Sequence, residues 1–490
     1  MYKYYKYSIL FVLISVLVFV SSCTKDLGNY DYKEINEVQI SGIDTTYTAL
    51  LGEPFAITPE LNFTKSTNGD DSQYTYEWIA FNTDLGLLSD DIKKDLAITK
   101  NLDLESLTIP PGTYKVYYRV TDTQTEVQWS KSFMLVVSSS IQRGWIVLND
   151  DQGKARLDMV SIIDTVYQPI HDVLDYTGSA LKLEGEPLNV ACYSYDPQFY
   201  GVYVNTTGNG TTKIDPLTFD WEDTYRLSYE MLTNVPTDFG ADFVQPIRGG
   251  ESFVYKDGDV YYYYRPFSIR YGVPINYIEG EEKPFKASPF IGTGYINILY
   301  DVDNQRFVRF LQRGSSSLEM PNHNRFDYNT GKDLVFMTQT PYNRGEVFAI
   351  LKDPADAKLY LARIRSDRAI GQRYYDEIPE ESAQLMSQAT QFAISPDYGY
   401  IFYNVGGKIY EYDFNLKTSK LMIDKGSDQI TVLQFEQYSP FSKDLIVASC
   451  DANGANGKME LYTVPPVNGD LELNLSFDGF AKIVSIAFKI

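Results

Sequence analysis

The sequence predicts an all-β protein with a lipid-modified N-terminus, and three observations predict this class. Aromatic residues make up 15% of the 490 residues, with 41 Tyr and 27 Phe against 4 Trp, a usage that suits half-buried strands. Short stretches alternate between apolar and polar residues and are separated by Gly, Pro, Asn and Asp, as in strands joined by turns. Four such strands recur roughly every 40 to 50 residues after residue 140. We therefore expect a β-sandwich at residues 35–140 and a β-propeller at residues 141–490.

Residues 1–22 have the pattern of a bacterial lipoprotein signal peptide. Lys3 and Lys6 precede an apolar run at residues 9–20, and small residues lead directly to Cys23. The run is too short for a membrane-spanning helix, which needs roughly 20 apolar residues. We expect cleavage before Cys23 and attachment of lipid to its thiol.

The charge balance argues against several partners. The chain has 43 basic and 65 acidic residues and a formal charge of −22, which becomes −24 once the two signal-peptide lysines are lost. This charge opposes binding to nucleic-acid phosphates and to anionic lipid surfaces, so we expect no nucleic-acid partner. With Cys23 acylated, Cys192 and Cys450 remain, and because they lie in different predicted blades we expect two buried free thiols.

The N-terminal third reads as a tether followed by the sandwich. Residues 23–34 are polar and show no helix or strand periodicity, so we expect a short tether. Within residues 35–140, the stretch 114–120 alternates Tyr and Val with Lys, Tyr and Arg, which places one face on a core and the other in water. Trp78, in an earlier predicted strand, has the size to fill the space between two sheets.

The larger region shows a degenerate repeat of four strands. Its clearest copy spans residues 390–423 and contains a Gly-Gly turn at 406–407, which suits positive φ. Units of four antiparallel strands are typical of propeller blades. Similar sets surround residues 188–229, 239–277, 285–320, 333–377 and 430–475.

The two ends of this region complete each other. Residues 482–490 look like the first strand of a blade that lacks its second strand, and residues 144–148 look like a second strand that lacks its first. Joined, they predict a ring of about seven blades, closed when the C-terminal strand pairs with the blade that begins near Gly144. Six blades, eight blades, or an open sheet capped by the last strand are the alternatives.

Residues that carry catalysis or bind metal are scarce. His171 and His323 are the two histidines, and neither has the spacing of a metal site or a catalytic triad, so we expect no catalytic residue, metal or cofactor. With 65 Asp and Glu, any carboxylate pair can be found by inspection, so pairs indicate nothing. The Asp-rich stretches at 257–259, 301–304 and 451–457 are better explained as hairpin turns than as calcium loops.

A tyrosine-rich strand is the most ligand-like feature of the sequence. Alternate tyrosines in a strand face opposite sides, so some pack between blades while others reach solvent. Packing is the favoured interpretation, and stacking on a sugar or peptide beside an arginine is the alternative. The candidate ligand-binding residues are Tyr255, Tyr262, Tyr264, Arg248 and Arg265.

The N-terminal motifs resemble a known family. Tyr76, Trp78 and residues 112–122 resemble the PKD-type domain, and together with Cys23 and the tether they resemble the PKD-like family lipoproteins of Gram-negative bacteria. This resemblance implies an outer-membrane lipoprotein beside a SusC/SusD-like importer, where it captures glycan or peptide nutrients.

Three functions follow as hypotheses. The preferred one is a non-enzymatic lipoprotein, lipid-anchored in the outer membrane, whose propeller binds a glycan, a peptide or a partner. The second is a propeller enzyme that acts on glycans through paired carboxylates. The third is a structural subunit of an importer complex. The sequence leaves open whether the chain faces the cell surface or the periplasm.

Overall fold

Strands dominate the computed structural model, which describes residues 36–65, 71–86, 89–163, 165–193, 201–247, 250–321, 324–437 and 439–490. The all-β prediction is therefore confirmed, whereas the predicted signal peptide, Cys23 and the tether lie outside these residues. The chain divides into two units, Met1–Ser138 and Ser139–Ile490. The α-helices among the described residues are short, Val173–Tyr176 and Glu380–Met386. None of the described helices is long and apolar enough to cross a membrane.

In its described residues, the first unit contains one five-stranded sheet and two strand pairs. The sheet has the order β2-β9-β8-β5-β6, with β2 parallel to β9 and the other neighbours antiparallel, and the pairs are β1-β4 and β3-β7. The strands are β1 Val38–Ser41, β2 Thr46–Leu50, β3 Phe55–Ile57, β4 Glu60–Phe63, β5 Tyr74–Asn82, β6 Lys93–Ala97, β7 Leu102–Leu104, β8 Gly112–Asp122 and β9 Gln128–Ser138.

The core of this unit lies between the large sheet and the two pairs. Trp78 of β5 is fully buried, its ring centroid is 4.3 Å from that of Tyr118, and its Nε1 donates to the Thr99 carbonyl oxygen at 2.9 Å. The same cluster includes Val38 of β1 and Phe55 of β3, so it joins all three sheets. The predicted role of Trp78 as the filler between sheets is confirmed.

The second unit contains seven sheets in its described residues, each built mainly from consecutive antiparallel strands. The clearest predicted repeat, residues 390–423, corresponds to β26 to β29. Sheet 1 is β10 Gly144–Asp151, β11 Lys154–Ile163 and β12 Val166–Ile170 with β34 Lys482–Lys489; sheet 2 is β13 Pro187–Tyr193, β14 Gly201–Thr206 and β15 Gly210–Ile214; sheet 3 is β16 Phe243–Ile247, β17 Glu251–Lys256 and β18 Asp259–Tyr264; sheet 4 is β19 Ile296–Asp301, β20 Arg306–Leu311 and β21 Leu318–Glu319; sheet 5 is β22 Asp333–Thr340, β23 Glu346–Lys352, β24 Leu359–Arg365 and β25 Gly371–Glu377; sheet 6 is β26 Phe392–Ile394, β27 Ile401–Val405, β28 Lys408–Asp413 and β29 Thr418–Asp424; sheet 7 is β30 Gln429–Gln434, β31 Asp444–Cys450, β32 Gly457–Thr463 and β33 Glu472–Phe480.

Sheet 1 combines the two ends of the second unit. Strand β34 runs antiparallel to β10, and Trp145 is paired with Phe488. Strand β10 starts at Gly144, whose φ is +148° and whose added Cβ would meet the Val160 carbonyl oxygen at 2.0 Å. The predicted pairing of the C-terminal strand with this sheet is therefore present, and the close approach of β11 on the other side of β10 requires glycine at position 144.

Buried side chains join each sheet to the next. Seven clusters do so, and the last joins sheet 7 to sheet 1, so the packing returns to its starting point. Representative pairs, from sheets 1 and 2 round to sheets 7 and 1, are Leu148 with Val190, Tyr203 with Val254, Phe253 with Phe310, Tyr300 with Val347, Phe348 with Tyr403, Phe402 with Val447, and Ile446 with Trp145.

Candidate ligand-binding cavity

The tyrosines singled out from the sequence are buried. Tyr255, Tyr262 and Tyr264 are 4 to 7% exposed and belong to the cluster between sheets 3 and 4, so the favoured interpretation, packing between sheets, is confirmed. Arg265 is also buried. Sheet 4 and the loop before it cover the three tyrosines, and Tyr203 and Glu230 lie against Arg265, so the alternative of exposed rings stacking on a ligand does not apply to these residues. Arg248 lies outside the described residues, and ligand binding by this set stays a prediction.

Polar contacts hold these buried groups in place. The Tyr262 hydroxyl donates to the Glu251 carboxylate at 2.5 Å, and burial raises the pKa of this tyrosine. The Arg265 guanidinium donates to the Tyr203 hydroxyl at 2.9 Å and lies 3.4 Å from a Glu230 oxygen. A buried charge needs such partners, so the network explains how sheet 3 tolerates an arginine in its interior.

A cavity of about 360 Å³ lies where the first strands of several sheets meet. Its walls come from β13, β16, β22, β30 and β34, together with Thr293 just before β19. A second cavity of about 170 Å³ shares five lining residues with it and adds β26, so the two together contact the first strand of each sheet or the residues beside it. We call these joined spaces the inner cavity. The shared residues are Thr338, Gln339, Gln434, Phe435 and Gln437.

Glutamine side chains give the inner cavity its polar character. Three half-buried glutamines each donate their amide nitrogen to a backbone carbonyl oxygen, and because that oxygen can only accept, the contact fixes which way each amide points. Among the described residues, no N–H or O–H group donates to the side-chain carbonyl oxygens of these three glutamines. The three oxygens are therefore available as hydrogen-bond acceptors. The contacts are Gln245 with Ile291 at 3.4 Å, Gln339 with Thr340 at 3.0 Å and Gln434 with Ile486 at 3.1 Å.

One further amide has a structural role. Asn189 of β13 donates to the Ser485 hydroxyl of β34 at 3.3 Å and accepts from the Val244 backbone N–H of β16 at 3.3 Å. The Ser485 hydroxyl also accepts from the Val190 backbone N–H at 3.2 Å. Asn189 therefore fixes the spacing of three neighbouring first strands and leaves the glutamines to meet a ligand.

Apolar side chains contribute to the rest of the lining, which carries little charge. Phe243 and Phe435 are half-buried lining residues, the Phe488 ring packs on Trp145 in the core, and Glu436 is the carboxylate among the described lining residues. Cys192 also contributes, but burial strongly raises the pKa of its thiol, which keeps it protonated and unreactive. The inner cavity can therefore offer hydrogen-bond acceptors and ring faces. Both Cys192 and Cys450 are buried free thiols, as predicted.

A larger cavity, of about 580 Å³, lies between the hairpin turns of sheets 1 and 7. Its carboxylates already have partners: Asp151 pairs with Arg156 at 2.6 Å, and Asp150 accepts from the Gly153 backbone N–H at 2.7 Å. Asp451, next to this cavity, accepts from backbone N–H groups within its own loop, which confirms the turn interpretation of residues 451–457. Among the described residues, no group of three or more His, Cys, Asp or Glu side chains has the arrangement of a metal site.

Sequence reasoning missed the glutamines because glutamine has no motif of its own. A weak signal exists at Gln245, which interrupts the otherwise apolar strand β16, whereas Gln434 ends a strand that already contains other polar residues. His171, expected at the surface or in a loop, follows β12 and lies 3.3 Å from an Asp158 carboxylate oxygen. His323 lies outside the described residues.

Comparisons with known proteins give one family match and several structural similarities. The sequence profile of the PKD-like family matches residues 23–187, about a third of the chain, which includes residues 23–138 of the first unit and strands β10 to β12. No curated protein matches the chain.

Three solved structures illustrate the structural similarities. The chain is similar to a quinonprotein alcohol dehydrogenase-like protein from Bacteroides thetaiotaomicron, with 14% identity, a TM-score of 0.41, and coverage of 90% of this chain and 96% of that one. It is similar to a DUF4784 family protein from Bacteroides caccae, with 9% identity, a TM-score of 0.32, and coverage of 80% and 97%. The Cps50 (Swd1) β-propeller domain of Myceliophteria thermophila has 10% identity, a TM-score of 0.37, and coverage of 64% and 93%.

Proposed function

We propose that the second unit is a seven-bladed β-propeller whose inner cavity binds a glycan, and that the protein is a non-enzymatic lipoprotein. The circular order of the seven buried clusters and the pairing of β34 with β10 support the ring. The observation that carries the binding proposal is the set of glutamine carbonyl oxygens at the point where the first strands meet.

The chemistry of the inner cavity favours an uncharged ligand rich in hydroxyl groups. Sugar hydroxyls donate to carbonyl oxygens, and the apolar faces of sugar rings pack on aromatic side chains such as Phe243 and Phe435. An anionic ligand would be repelled by Glu436, and the described lining of the cavity contains no Lys or Arg that could pair with it. An extended peptide is the second ligand class that the same acceptors allow.

The anchoring part of the proposal rests on the sequence. Lys3, Lys6, the apolar run at residues 9–20 and the small residues before Cys23 support lipid attachment at Cys23. An outer-membrane location and cooperation with a SusC/SusD-like importer follow from the resemblance to PKD-like lipoproteins. In this scheme the protein captures a glycan and passes it to the importer.

The enzyme hypothesis needs two carboxylates that flank a substrate bond. The described lining of the inner cavity supplies Glu436, and the carboxylates of the turn cavity are engaged with Arg156 and backbone groups. We therefore propose binding without hydrolysis. Incubation of a glycan panel with the purified protein checks this, since release of shortened products would contradict it.

Affinity measurements test the proposed cavity directly. The Cys23→Ser chain, which cannot be acylated, is screened on a glycan array and the strongest hit is titrated by calorimetry. Gln245→Leu, Gln339→Leu and Gln434→Leu should each weaken binding about two- to tenfold, the loss of one neutral hydrogen bond.

The matched control is Gln39→Leu, an exposed glutamine of the first unit, which should leave affinity unchanged. Equal affinities for all four variants would place the site elsewhere. Binding of peptides but not glycans, still weakened by the three cavity variants, would keep the site and contradict the ligand class.

A further inference from the structure

A second surface of the propeller unit exposes large apolar side chains. Two segments carry them, residues 229–232 and 265–273, and these are joined by a hydrogen bond from the Leu232 N–H to the Tyr271 carbonyl oxygen at 2.7 Å. Soluble proteins rarely leave contiguous apolar side chains in water without a use for them. The exposed fractions are 47% for Tyr229, 66% for Leu232, 64% for Phe267, 43% for Ile269 and 67% for Val273.

Two arginines lie within this surface. The Arg270 guanidinium donates to the Tyr229 carbonyl oxygen at 3.3 Å. The Arg313 guanidinium lies over the Phe267 ring at 5.0 Å and donates to the Tyr264 hydroxyl at 2.8 Å. We call the five apolar residues together with these two arginines the apolar-arginine patch.

The charges of the two arginines are not neutralised. No carboxylate of the described residues comes within 4.0 Å of Arg270 or Arg313, although the chain has 65 acidic residues. The contacts that both make are to rings, a hydroxyl and a backbone carbonyl oxygen. Each guanidinium therefore keeps donors that can pair with an incoming carboxylate.

We propose that the apolar-arginine patch docks a segment of a partner protein in which carboxylates lie next to aliphatic or aromatic side chains. Arginine and aromatic residues dominate the energetic centres of protein interfaces. The apolar side chains would be covered by the partner's apolar side chains, and Arg270 and Arg313 would each meet a carboxylate.

Charge argues against the other occupants. A second copy docked through the same patch about a two-fold axis would bring arginines against arginines. A flat anionic membrane would face a wide area of a chain with a formal charge of −22, whereas a short acidic segment meets mainly the two arginines within screening distance. A foreign acidic and apolar segment is the occupant that the patch fits.

The test selects ligands from a displayed library of random 12-residue peptides with the Cys23→Ser chain. Selected peptides are synthesised, and their affinities are measured by fluorescence anisotropy. We expect peptides that combine Asp or Glu with Leu, Phe or Trp. Their affinity should fall at least about tenfold in Arg270→Glu/Arg313→Glu and in Phe267→Ser.

The matched control is Lys352→Glu/Lys458→Glu, which makes the same charge change at exposed lysines of other sheets and should bind as the unaltered protein does. Arg270→Glu alone covers the case in which the double variant unfolds. Peptides that lack acidic residues, or acidic peptides that bind all variants equally, would overturn the proposal. Two other results would also overturn the proposal: dimerisation in sedimentation, or binding to vesicles with anionic lipid, provided that Phe267→Ser abolishes that dimerisation or binding.

Discussion

Replacing Lys489 by methionine tests how the last strand is held. Lys489 is fully buried on β34, and its ammonium group donates to the carbonyl oxygens of Ile141, at 2.9 Å, and Gln142. Burial lowers the pKa of Lys489 to about 8 from its ordinary value of 10.5, although Cys192 and Asp215 act in the opposite direction. The folded state therefore resists protonation of this lysine more than the unfolded chain does.

The sign of the pH dependence follows from this shift. Above pH 10.5 the lysine is neutral in both states and costs nothing. As the pH falls from 10.5 to 8, the unfolded chain gains a proton that the folded chain does not, so folding loses stability. A shift from 10.5 to about 8 corresponds to about 3 kcal/mol, and this full cost is present below pH 8.

Methionine removes both the cost and the hydrogen bonds. The two carbonyl oxygens lose their donor, which costs about 1 to 3 kcal/mol. Near pH 7 the two effects offset each other, and Lys489→Met should unfold at a free energy close to that of the unaltered protein. Between pH 7 and pH 10.5 the unaltered protein gains about 3 kcal/mol that Lys489→Met cannot gain. At pH 10.5 the free energy of unfolding of the variant should therefore be lower than that of the unaltered protein by about 3 kcal/mol more than at pH 7.

The assay is urea unfolding at pH 7, 8, 9 and 10.5, monitored by tryptophan fluorescence. The quantity that matters is the difference in unfolding free energy between the two proteins, because tyrosine ionisation affects both alike. Lys352→Met, at an exposed lysine, is the control and should show no such trend. If the difference in unfolding free energy between the two proteins stays constant from pH 7 to 10.5, the pKa of Lys489 is not lowered by burial and the reasoning is refuted.

Four other predictions follow from the same packing. Burial raises the pKa of Glu411 to about 7, so stability is lost as the pH rises from 4.5 to 7, and Glu411→Gln should add about 3 kcal/mol at pH 8 and nothing below pH 4.5 by chemical unfolding. Trp145→Ala should cost about 3 to 5 kcal/mol and lower the Tm, because the fully buried ring packs on both sheets 1 and 7; an unchanged Tm in calorimetry would contradict that packing. Deleting residues 482–490 should abolish cooperative unfolding, whereas deleting Ile490 alone should not. A thiol reagent should label Cys192 and Cys450 only after denaturation, and rapid labelling of the native protein would contradict their burial.

The sequence predicts the strands well because their signals are local. Alternation at residues 114–120 requires only neighbouring residues, and β8 buries the expected face. The pairing of β34 with β10 spans most of the unit, yet it was predictable because each end reads as half of the same repeat.

The candidate sites were less predictable because they depend on residues far apart in the chain. Alternation assigns Tyr262 to one face of β18, but it cannot tell that sheet 4 covers that face. The glutamines of the inner cavity come from strands about 90 residues apart, and only the fold brings Gln245, Gln339 and Gln434 to one space.

The order of sheet 1 has a consequence for synthesis. Strand β10 emerges from the ribosome more than 300 residues before β34, its partner, and its free edge stays unsatisfied in the nascent chain for all that time. Sheet 1 can therefore be completed only after residues 482–489 have been synthesised, so this step of folding comes late and depends on a strand far along the chain.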